Sequence, residues 1–243
     1  MRASSLLAAA IALGAAAPVL AAKTTAPDAT LLDSPLTMVA ALAVLSLAPF
    51  LLVVTTSFLK IAVVLSLLRN ALGTPRVPPT MVITGLAVAL TVVAMAPTAG
   101  RVTGAVEQGL AGRPATVDAL LDAGRAAKEP VRDFLLRHSH DDALDALHGM
   151  AVRARPGEDV KRDDLIVGVP AFILSELKEA FLIGFILFIP FLVLELVVAN
   201  VLLALGMHML APTTVSLPFK LLLFVAVDGW TLIIQGLLEG YIP

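Results

Sequence analysis

Two long apolar stretches, residues 181–205 and 217–238, dominate the hydrophobic pattern of the chain. An α-helix rises about 1.5 Å per residue, so each stretch is long enough to cross a hydrocarbon core of about 30 Å. Pro190 interrupts the first stretch, and a proline lacks the N–H that a helix needs at that point. The pattern predicts a membrane helical hairpin over residues 170–243, with its first helix broken at Pro190.

Charged side chains inside this hairpin need partners. Glu195 lies in the first apolar stretch, and Lys220 and Asp228 lie in the second. A charge in the middle of a membrane-inserted helix costs about 2.5–3.5 kcal/mol, so such residues usually face protein or a water-filled path. We therefore expect Lys220 and Asp228 to be buried in ion pairs, within the chain or between subunits.

Ser175 is typical of a helix N-cap, because its hydroxyl can accept a hydrogen bond from a free backbone N–H. Glu176, Lys178 and Glu179 follow within four positions, and carboxylates complement the start of a helix. One interpretation is that helix capping explains these residues. The other is that Glu176 or Glu179 pairs with Lys220 across hairpins or subunits, since capping leaves Lys220 unexplained.

Residues 36–97 form another apolar region and predict a helical hairpin whose first helix is broken. Pro49 weakens the helix early, and Lys60 lies only one turn into the next apolar stretch. Arg69 ends that stretch, beside a loop rich in proline and glycine. Positive charges in short loops next to a membrane favour the cytoplasmic side, so we expect this loop to face the cytoplasm.

Residues 98–166 differ in composition from the rest of the chain. They hold 10 of the 17 Lys and Arg residues and 12 of the 19 Asp and Glu residues. Apolar side chains recur at helical spacing between residues 116 and 149, amid mixed charges. This pattern is typical of a small soluble helical domain or an amphipathic hairpin.

The first 22 residues predict a secretory signal peptide. Arg2 precedes an apolar core over residues 6–17, and small residues follow at a plausible cleavage site. An uncleaved N-terminal anchor is the alternative. With a signal peptide, the 98–166 domain lies on the periplasmic side of a multi-pass inner-membrane protein.

Composition agrees with a membrane protein, since 58% of the residues are hydrophobic, 15% are charged and the mean hydropathy is +0.94. The net charge of −2 provides no general attraction to nucleic acid. The chain has no cysteine, which excludes disulfides, thiolate metal sites and cysteine nucleophiles. We predict an all-α membrane protein with two broken-helix hairpins and a small helical extracytoplasmic domain.

The sequence carries no complete catalytic, cofactor or metal motif. The histidines and aspartates of residues 138–142 are ligand types for divalent ions, but their spacing matches no established metal motif. Glu195, Lys220 and Asp228 would suit an intramembrane enzyme or a proton-coupled transporter, yet no nucleophile–base pair accompanies them. We expect no enzyme activity, no cofactor and no bound metal.

Several strings of residues stand in a specific order along the two apolar regions. In the first region they are Thr56-Ser57-Phe58-Leu59-Lys60 and Val64-Leu65-Ser66-Leu67-Leu68-Arg69-Asn70-Ala71-Leu72-Gly73. In the second they are Ser175-Glu176-Leu177, Pro212-Thr213-Thr214, Ser216-Leu217-Pro218-Phe219-Lys220 and Asp228-Gly229-Trp230. Together they resemble the FliP/SctR family of type III secretion export-apparatus proteins, over residues 36–97 and 170–238.

The resemblance implies a channel rather than a catalyst. Members of this family assemble as a ring or short helical stack of about five copies, an arrangement that heterologous interfaces produce. Smaller membrane proteins of the FliQ/SctS and FliR/SctT types join the stack, and an export switch protein of the FlhB/SctU type works with it. The stack forms the inner-membrane entry channel through which unfolded proteins leave the cytoplasm.

The resemblance also assigns roles to individual residues. A methionine-rich turn of the family forms a gasket around the pore, and Met207 and Met209 match it. His208 departs from the family pattern, which usually has a third methionine there. The charged residues near the cytoplasmic mouth of the family's channel correspond to four positions here: Glu176, Lys178, Glu179 and Lys220.

Two branches of the family, flagellar and injectisome, remain open from the residues. Residues 69–72 and 199–206 look like the non-flagellar, injectisome branch. The signal peptide and the sizeable outer domain look more like the flagellar branch. We favour the injectisome. A scaffold that nucleates the secretion base is a further alternative, and it would tolerate changes in the pore but not at charged interfaces.

Overall fold

A computed structural model describes residues 53–74, 77–110 and 117–241 of the chain, together with positions 46 and 50. Helices, turns and bends make up these ranges, and they contain no strand. The predicted all-α fold class is confirmed. The predicted signal peptide, residues 1–22, and the predicted helix break at Pro49 lie outside the described residues.

Eight helices follow one another in the described part of the chain. They are α1 (Phe58–Ala71), α2 (Thr80–Ala94), α3 (Ala96–Leu110), α4 (Val117–Arg137), α5 (Asp141–Ala154), α6 (Leu165–Ala204), α7 (Pro212–Ala226) and α8 (Gly229–Glu239).

The described residues belong to two compact units. The first, which we call the apolar unit, consists of residues 57–94 and 176–241, and so contains α1, α2, most of α6, α7 and α8. The second, which we call the charged unit, consists of residues 95–110 and 117–175, together with the described positions up to residue 56. The division falls inside α6, so this helix contributes to both cores.

The core of the apolar unit forms because each of its helices buries apolar residues at helical spacing. In α1 the buried side chains recur at the intervals of three and four residues that define one helix face. Helices α2, α7 and α8 complete the same cluster, and α8 packs on both α2 and α7. The buried members include Ile61, Val64, Leu65, Leu68, Ile83, Ala87, Leu90, Ala180, Phe191, Phe224, Ile233 and Leu237.

The outer surface of α6 within the apolar unit is as apolar as the core. Phe181, Phe185 and Leu196 are all exposed in the single chain. A helix that is hydrophobic all round is buried in a membrane or in a larger assembly. An exposed apolar surface of this extent marks a contact with lipid or protein.

Among the described residues, two helical stretches are long and apolar enough to cross a membrane, Thr80–Gln108 and Leu165–Ala204. Helices α7 and α8 are joined by a bend of 61° and would make a third span if they act together. The predicted membrane-protein class rests on these stretches and is confirmed at that level.

The predicted break at Pro190 is wrong, because α6 is helical without interruption over 40 residues. A proline removes a single N–H from the helix, and the other backbone groups have no better partner in an apolar environment. The second hairpin is broken elsewhere, at the bend between α7 and α8. Asp228 lies at this bend in the left-handed conformation, with φ 51°.

The first hairpin contains a break where the sequence predicts one, but at a different residue from Lys60. Residues 53–55 are helical, residues 56–57 form a bend and a turn, and α1 then begins. Lys60 lies inside the first turn of α1. The helix ends just after Arg69, and Gly73 takes a φ of 77° in the turn that follows.

The charged unit has a separate core in which α5 packs against the start of α6. Ala143 and Leu144 of α5 lie with Val167 and Ala171 of α6 in one buried cluster. The ring of Phe172 lies 5.5 Å from that of Phe134 in α4, centroid to centroid. Helical segments therefore account for the apolar spacing within residues 116–149.

Ser175 is not an N-cap of its own helix, because α6 begins at Leu165. Its hydroxyl donates to the Ala171 carbonyl at 2.8 Å and accepts the backbone N–H of His140, also at 2.8 Å. His140 is the residue that precedes α5. Ser175 thus stabilises the start of a different helix, across the core of the charged unit.

Residues 138–142, considered above as metal ligands, form the turn between α4 and α5. The Nδ1 of His138 lies 2.9 Å from the Phe134 carbonyl, which accepts its hydrogen. Over the described residues, no three His, Asp or Glu side chains are grouped so as to hold a metal ion.

The loop after α5 is attached to that helix by Arg162. Its guanidinium donates to Asp141 and to Asp145, each at 2.6 Å. The hydrogen bonds that the guanidinium donates to Asp141 and, next in size, to Asp145 raise the pKa of Arg162 above its ordinary value. Because these side chains are in contact with water, the pairs fix the course of the loop more than they stabilise the unit.

Candidate functional site

A buried charge cluster lies in the apolar unit around Lys60. This lysine is only 4% exposed. Its ammonium nitrogen lies 2.6 Å from a carboxylate oxygen of Glu179 and 3.2 Å from one of Glu176. It also lies 4.5 Å from the ring centroid of Tyr241, a cation–π distance. We refer to these four residues as the Lys60 cluster.

Helix geometry explains how the cluster forms. Glu176 and Glu179 are three residues apart on α6, so both carboxylates lie on one face of that helix. Lys60 comes from the first turn of α1 and Tyr241 from the residues that follow α8. The Tyr241 hydroxyl donates a hydrogen bond to Glu176. The cluster therefore joins α1, α6 and the chain segment after α8.

Burial differs sharply between the two carboxylates. Glu176 is 1% exposed, whereas the side chain of Glu179 is 36% exposed. A buried carboxylate depends on its partners, because leaving it unpaired costs several kcal/mol in a low-dielectric interior. Glu176 therefore needs Lys60 and Tyr241, and water can solvate Glu179.

The predicted pairing of Glu176 or Glu179 with Lys220 is not formed within the chain. Both carboxylates form ion pairs with Lys60 instead. Lys220 pairs with Glu195, with 2.5 Å between nitrogen and oxygen. A pairing between subunits stays a prediction.

The Lys220–Glu195 pair lines a small cleft of about 190 Å³ in the apolar unit. Lys220 is buried on α7, and Glu195 is partly exposed on α6. Asn70 and Thr213 add polar groups to the wall of this cleft, and phenylalanines of α6 complete it. The two opposite charges offset each other at a place where neither would be stable alone.

The other predicted charged residues are more exposed than Lys60 and Glu176. Lys178 is exposed on α6. Asp228 is exposed at the bend between α7 and α8, so the burial predicted for it does not occur within one chain. Arg69 is partly buried and donates to the Thr80 hydroxyl at 3.0 Å.

Met207, His208 and Met209 form the connector between α6 and α7. All three are exposed, and Met209 is fully exposed. The chain leaves α6 at Gly206, which has a φ of 73°. Residues with a side chain rarely adopt this angle, whereas glycine does so without strain. The connector thus presents two thioethers and an imidazole at the outside of the apolar unit.

Sequence reasoning missed two members of the Lys60 cluster. It placed Lys60 at a helix break, and it gave Tyr241 no role. One signal was available, since Lys60 stands among apolar residues as Lys220 does and needs a partner for the same reason.

Comparison with known proteins now identifies the group of proteins to which the chain is related. The model of the FliP family matches residues 41–237. The chain belongs to the FliP family. The resemblance drawn from the residue strings is confirmed, and the FliP match also runs through residues 98–166, which the strings did not cover.

Relatives in the FliP family come from virulence and flagellar systems alike. The harpin secretion protein HrcR of Erwinia amylovora is 43% identical over 86% of this chain and 97% of its own length. The virulence protein YscR of Salmonella typhimurium is 40% identical over 86% and 98%. The flagellar biosynthetic protein FliP of Bacillus subtilis is 43% identical over 82% and 89%. The chain is thus similar over most of its length to components of protein export apparatus.

Proposed function

We propose that this chain is a pore-forming subunit of a type III protein export apparatus in the inner membrane. In this proposal about five copies assemble with smaller membrane proteins of the FliQ/SctS and FliR/SctT types, through the heterologous interfaces that build rings and helical stacks. The assembly is the entry channel for unfolded protein substrates. The family match over residues 41–237 carries the proposal, together with relatives named for secretion and flagellar biosynthesis.

The apolar surface of the apolar unit supports an assembly. Phe181, Phe185 and Leu196 project from α6 without cover in the single chain. Neighbouring copies would cover this surface, because burying apolar side chains between subunits is favourable by about 25 cal/mol per Å². The broken pair α7–α8 fits protein surroundings better than lipid, since an interrupted helix leaves backbone groups to be satisfied.

Native mass spectrometry of the complex, purified with its two smaller membrane partners, tests the assembly. We expect several copies of this chain together with both partners. A chain that stays a monomer or a simple dimer in their presence would overturn the proposal.

The connector at Met207–Met209 is the proposed gasket. Methionine side chains are flexible and polarisable, so a ring of them can close around a narrow pore and adapt when a substrate passes. The exposure of the connector in the single chain supports this role, because a gasket residue must be free to meet its copies.

Ion leak through the assembled complex tests the gasket. We expect Met207→Asn with Met209→Asn to raise ion conductance of the complex in planar bilayers, while native mass spectrometry shows the same assembly. Met150→Asn, which changes an exposed methionine of the charged unit, is the matched control and should leave conductance unchanged. Normal conductance in the assembled double variant would disprove the gasket.

The injectisome is the proposed system, and the flagellum is the alternative. The matched region spans 97% and 98% of the harpin and virulence relatives but 89% of the flagellar one. We expect deletion of the gene to abolish secretion of effector proteins and to leave swimming motility intact. Loss of motility alone would assign the chain to the flagellum, with its own FlhB-type switch protein.

The charged unit is proposed to lie in the periplasm. The chain has no cysteine, so a single introduced cysteine reports on its side of the membrane. We expect Glu158→Cys, in an exposed loop of the charged unit, to react with a membrane-impermeant maleimide added to intact spheroplasts. Labelling only after the membrane is broken would place this unit in the cytoplasm.

A further inference from the structure

Most charged side chains in the described part of the apolar unit form ion pairs within one chain. Lys60 pairs with Glu176 and Glu179, and Lys220 pairs with Glu195. Four charged residues in the described part of this unit lie outside these pairs, namely Arg69, Lys178, Asp228 and Glu239. Arg69 and Asp228 form no ion pair with any residue in the described ranges.

Asp228 is a carboxylate on an apolar surface. It lies inside the apolar stretch 217–238, and its neighbours Val225, Val227 and Trp230 are all exposed. In a membrane or an apolar interface, an unpaired carboxylate at such a place is costly. The carboxylate therefore needs a cation, and no residue in the described ranges forms an ion pair with it.

The backbone holds Asp228 in place. Its left-handed conformation, with φ 51°, is uncommon for a residue other than glycine. The next residue, Gly229, packs so closely on the ring of Phe224 that a Cβ at this position would overlap it. Aspartate is one of the few residue types besides glycine that adopts this conformation, and the close packing of Gly229 fixes the bend from which its side chain projects.

Arg69 has donors to spare. One terminal guanidinium nitrogen donates to Thr80 at 3.0 Å, and the other makes no hydrogen bond to a described residue. A guanidinium has five N–H donors and stays charged at any physiological pH. It is the side chain best suited to bind a carboxylate in an interface, often through two parallel hydrogen bonds.

We propose that Arg69 of one copy pairs with Asp228 of the neighbouring copy, and that this pair sets the register between subunits. The inference rests on the proposed function, since it requires several copies. Both residues border one apolar cluster, because Leu68 next to Arg69 and Phe224 beside the Asp228 bend are members of the same core. Arg69 and Asp228 lie on different helices around that cluster, so a heterologous contact can bring Arg69 of one copy to Asp228 of the next.

Charge reversal tests the pair. We expect Asp228→Arg and Arg69→Asp each to reduce the yield of intact complex roughly tenfold or more, since a desolvated interface charge that loses its partner is strongly disfavoured. The doubly exchanged variant should recover assembly. Glu239→Arg is the matched control, because it makes the same charge change at an exposed position on the last helix; it should assemble normally.

Cross-linking tests the contact without relying on stability. Because the chain lacks cysteine, Arg69→Cys and Asp228→Cys can be placed on separate, differently tagged chains and produced together. A short bifunctional thiol reagent should link the two kinds of chain, whereas Arg69→Cys with Glu239→Cys should stay unlinked.

The outcomes separate this inference from the proposed function. A wild-type chain that forms no multi-copy complex overturns the proposed function. Where the wild-type chain forms a normal complex, three results would overturn the Arg69–Asp228 pair and leave the proposed function intact. The single charge reversals could assemble normally, the double exchange could fail to restore assembly, or Asp228→Cys could be linked to a different membrane protein.

Discussion

Replacing Lys60 by methionine tests how much the Lys60 cluster stabilises the apolar unit. Methionine keeps the length and apolar stem of lysine but removes the ammonium group. Glu176, which is 1% exposed, would then keep its charge in the interior with only the Tyr241 hydroxyl as partner. Breaking a buried pair in this way costs about 3–5 kcal/mol, because one charge is left uncompensated.

The second carboxylate should matter much less. The side chain of Glu179 is 36% exposed, so water solvates it when Lys60 is absent. Without the Glu179 charge, Lys60 still pairs with Glu176, so we expect a loss of only about 1 kcal/mol. Glu179→Gln is therefore the matched control: it removes the other carboxylate partner of Lys60, on the same helix as Glu176.

Thermal unfolding in detergent micelles measures these differences. The chain has one tryptophan, Trp230, whose ring lies edge-on against Phe224 with 5.4 Å between centroids, so its fluorescence reports on the apolar unit. A loss of about 1 kcal/mol shifts the midpoint by roughly 2–4 °C in a protein of this size, so Lys60→Met should lower Tm by roughly 6–20 °C.

A second substitution decides whether charge is the cause. Adding Glu176→Gln to Lys60→Met removes the stranded charge and keeps an acceptor for Tyr241, so most of the lost Tm should return. Equal losses in Lys60→Met and Glu179→Gln, or a double variant no more stable than Lys60→Met, would refute the reasoning.

Two further substitutions test the packing of each unit. Gly184→Ala places a Cβ against the side chain of Leu67, so we expect a loss of about 1–3 kcal/mol and a lower Tm. Its control is Gly85→Ala, whose added Cβ meets no atom within 4 Å and should be neutral or stabilising. Equal Tm values for the two variants would show that α1 and α6 are not tightly packed at Gly184. Ser175→Ala leaves the His140 N–H without its acceptor, so we expect a loss of about 1 kcal/mol and faster hydrogen exchange at the start of α5 by mass spectrometry. Unchanged exchange there would mean that water replaces the serine hydroxyl.

Hydrophobic periodicity predicts the helices of the charged unit, because these helices have one apolar face and one polar face. Helix α1 is apolar on most sides, so its sequence does not single out the face of Ile61, Leu65 and Leu68 that is buried. Periodicity also fails for α6, because this helix is apolar on all sides and no face can be singled out as the buried one. Its beginning at Leu165 and its passage through Pro190 depend on neighbours and surroundings rather than on local preference.

Ser175 shows why a local motif can mislead. A serine followed by carboxylates suits a helix start, yet the same hydroxyl can donate to the carbonyl one turn earlier within a helix. The structure uses the second option and turns the free acceptor of Ser175 toward His140. Only the packing of α5 on α6 distinguishes the two.

Only part of the charged site was predictable from the sequence, namely its carboxylates and Lys220, and the pairs that they form were not. Burying a charge requires a partner, so Glu176 and Lys220 were recognisable from the apolar sequence around them. Which lysine meets which carboxylate depends on the register of α1 and α7 against α6. That register is set by core packing, which sequence spacing alone does not determine.

The long separation of the Lys60 cluster in sequence has a consequence for the synthesis of the protein. Lys60 and Glu179 are 119 positions apart, and ribosomes add about 5–20 residues per second, so Glu179 follows Lys60 by roughly 6–24 s. Tyr241 follows later still. During this time α1 has no carboxylate from α6 to neutralise its lysine, so the insertion machinery must hold the helix where water or lipid headgroups reach that charge. Final burial of α1 must therefore wait for the arrival of α6.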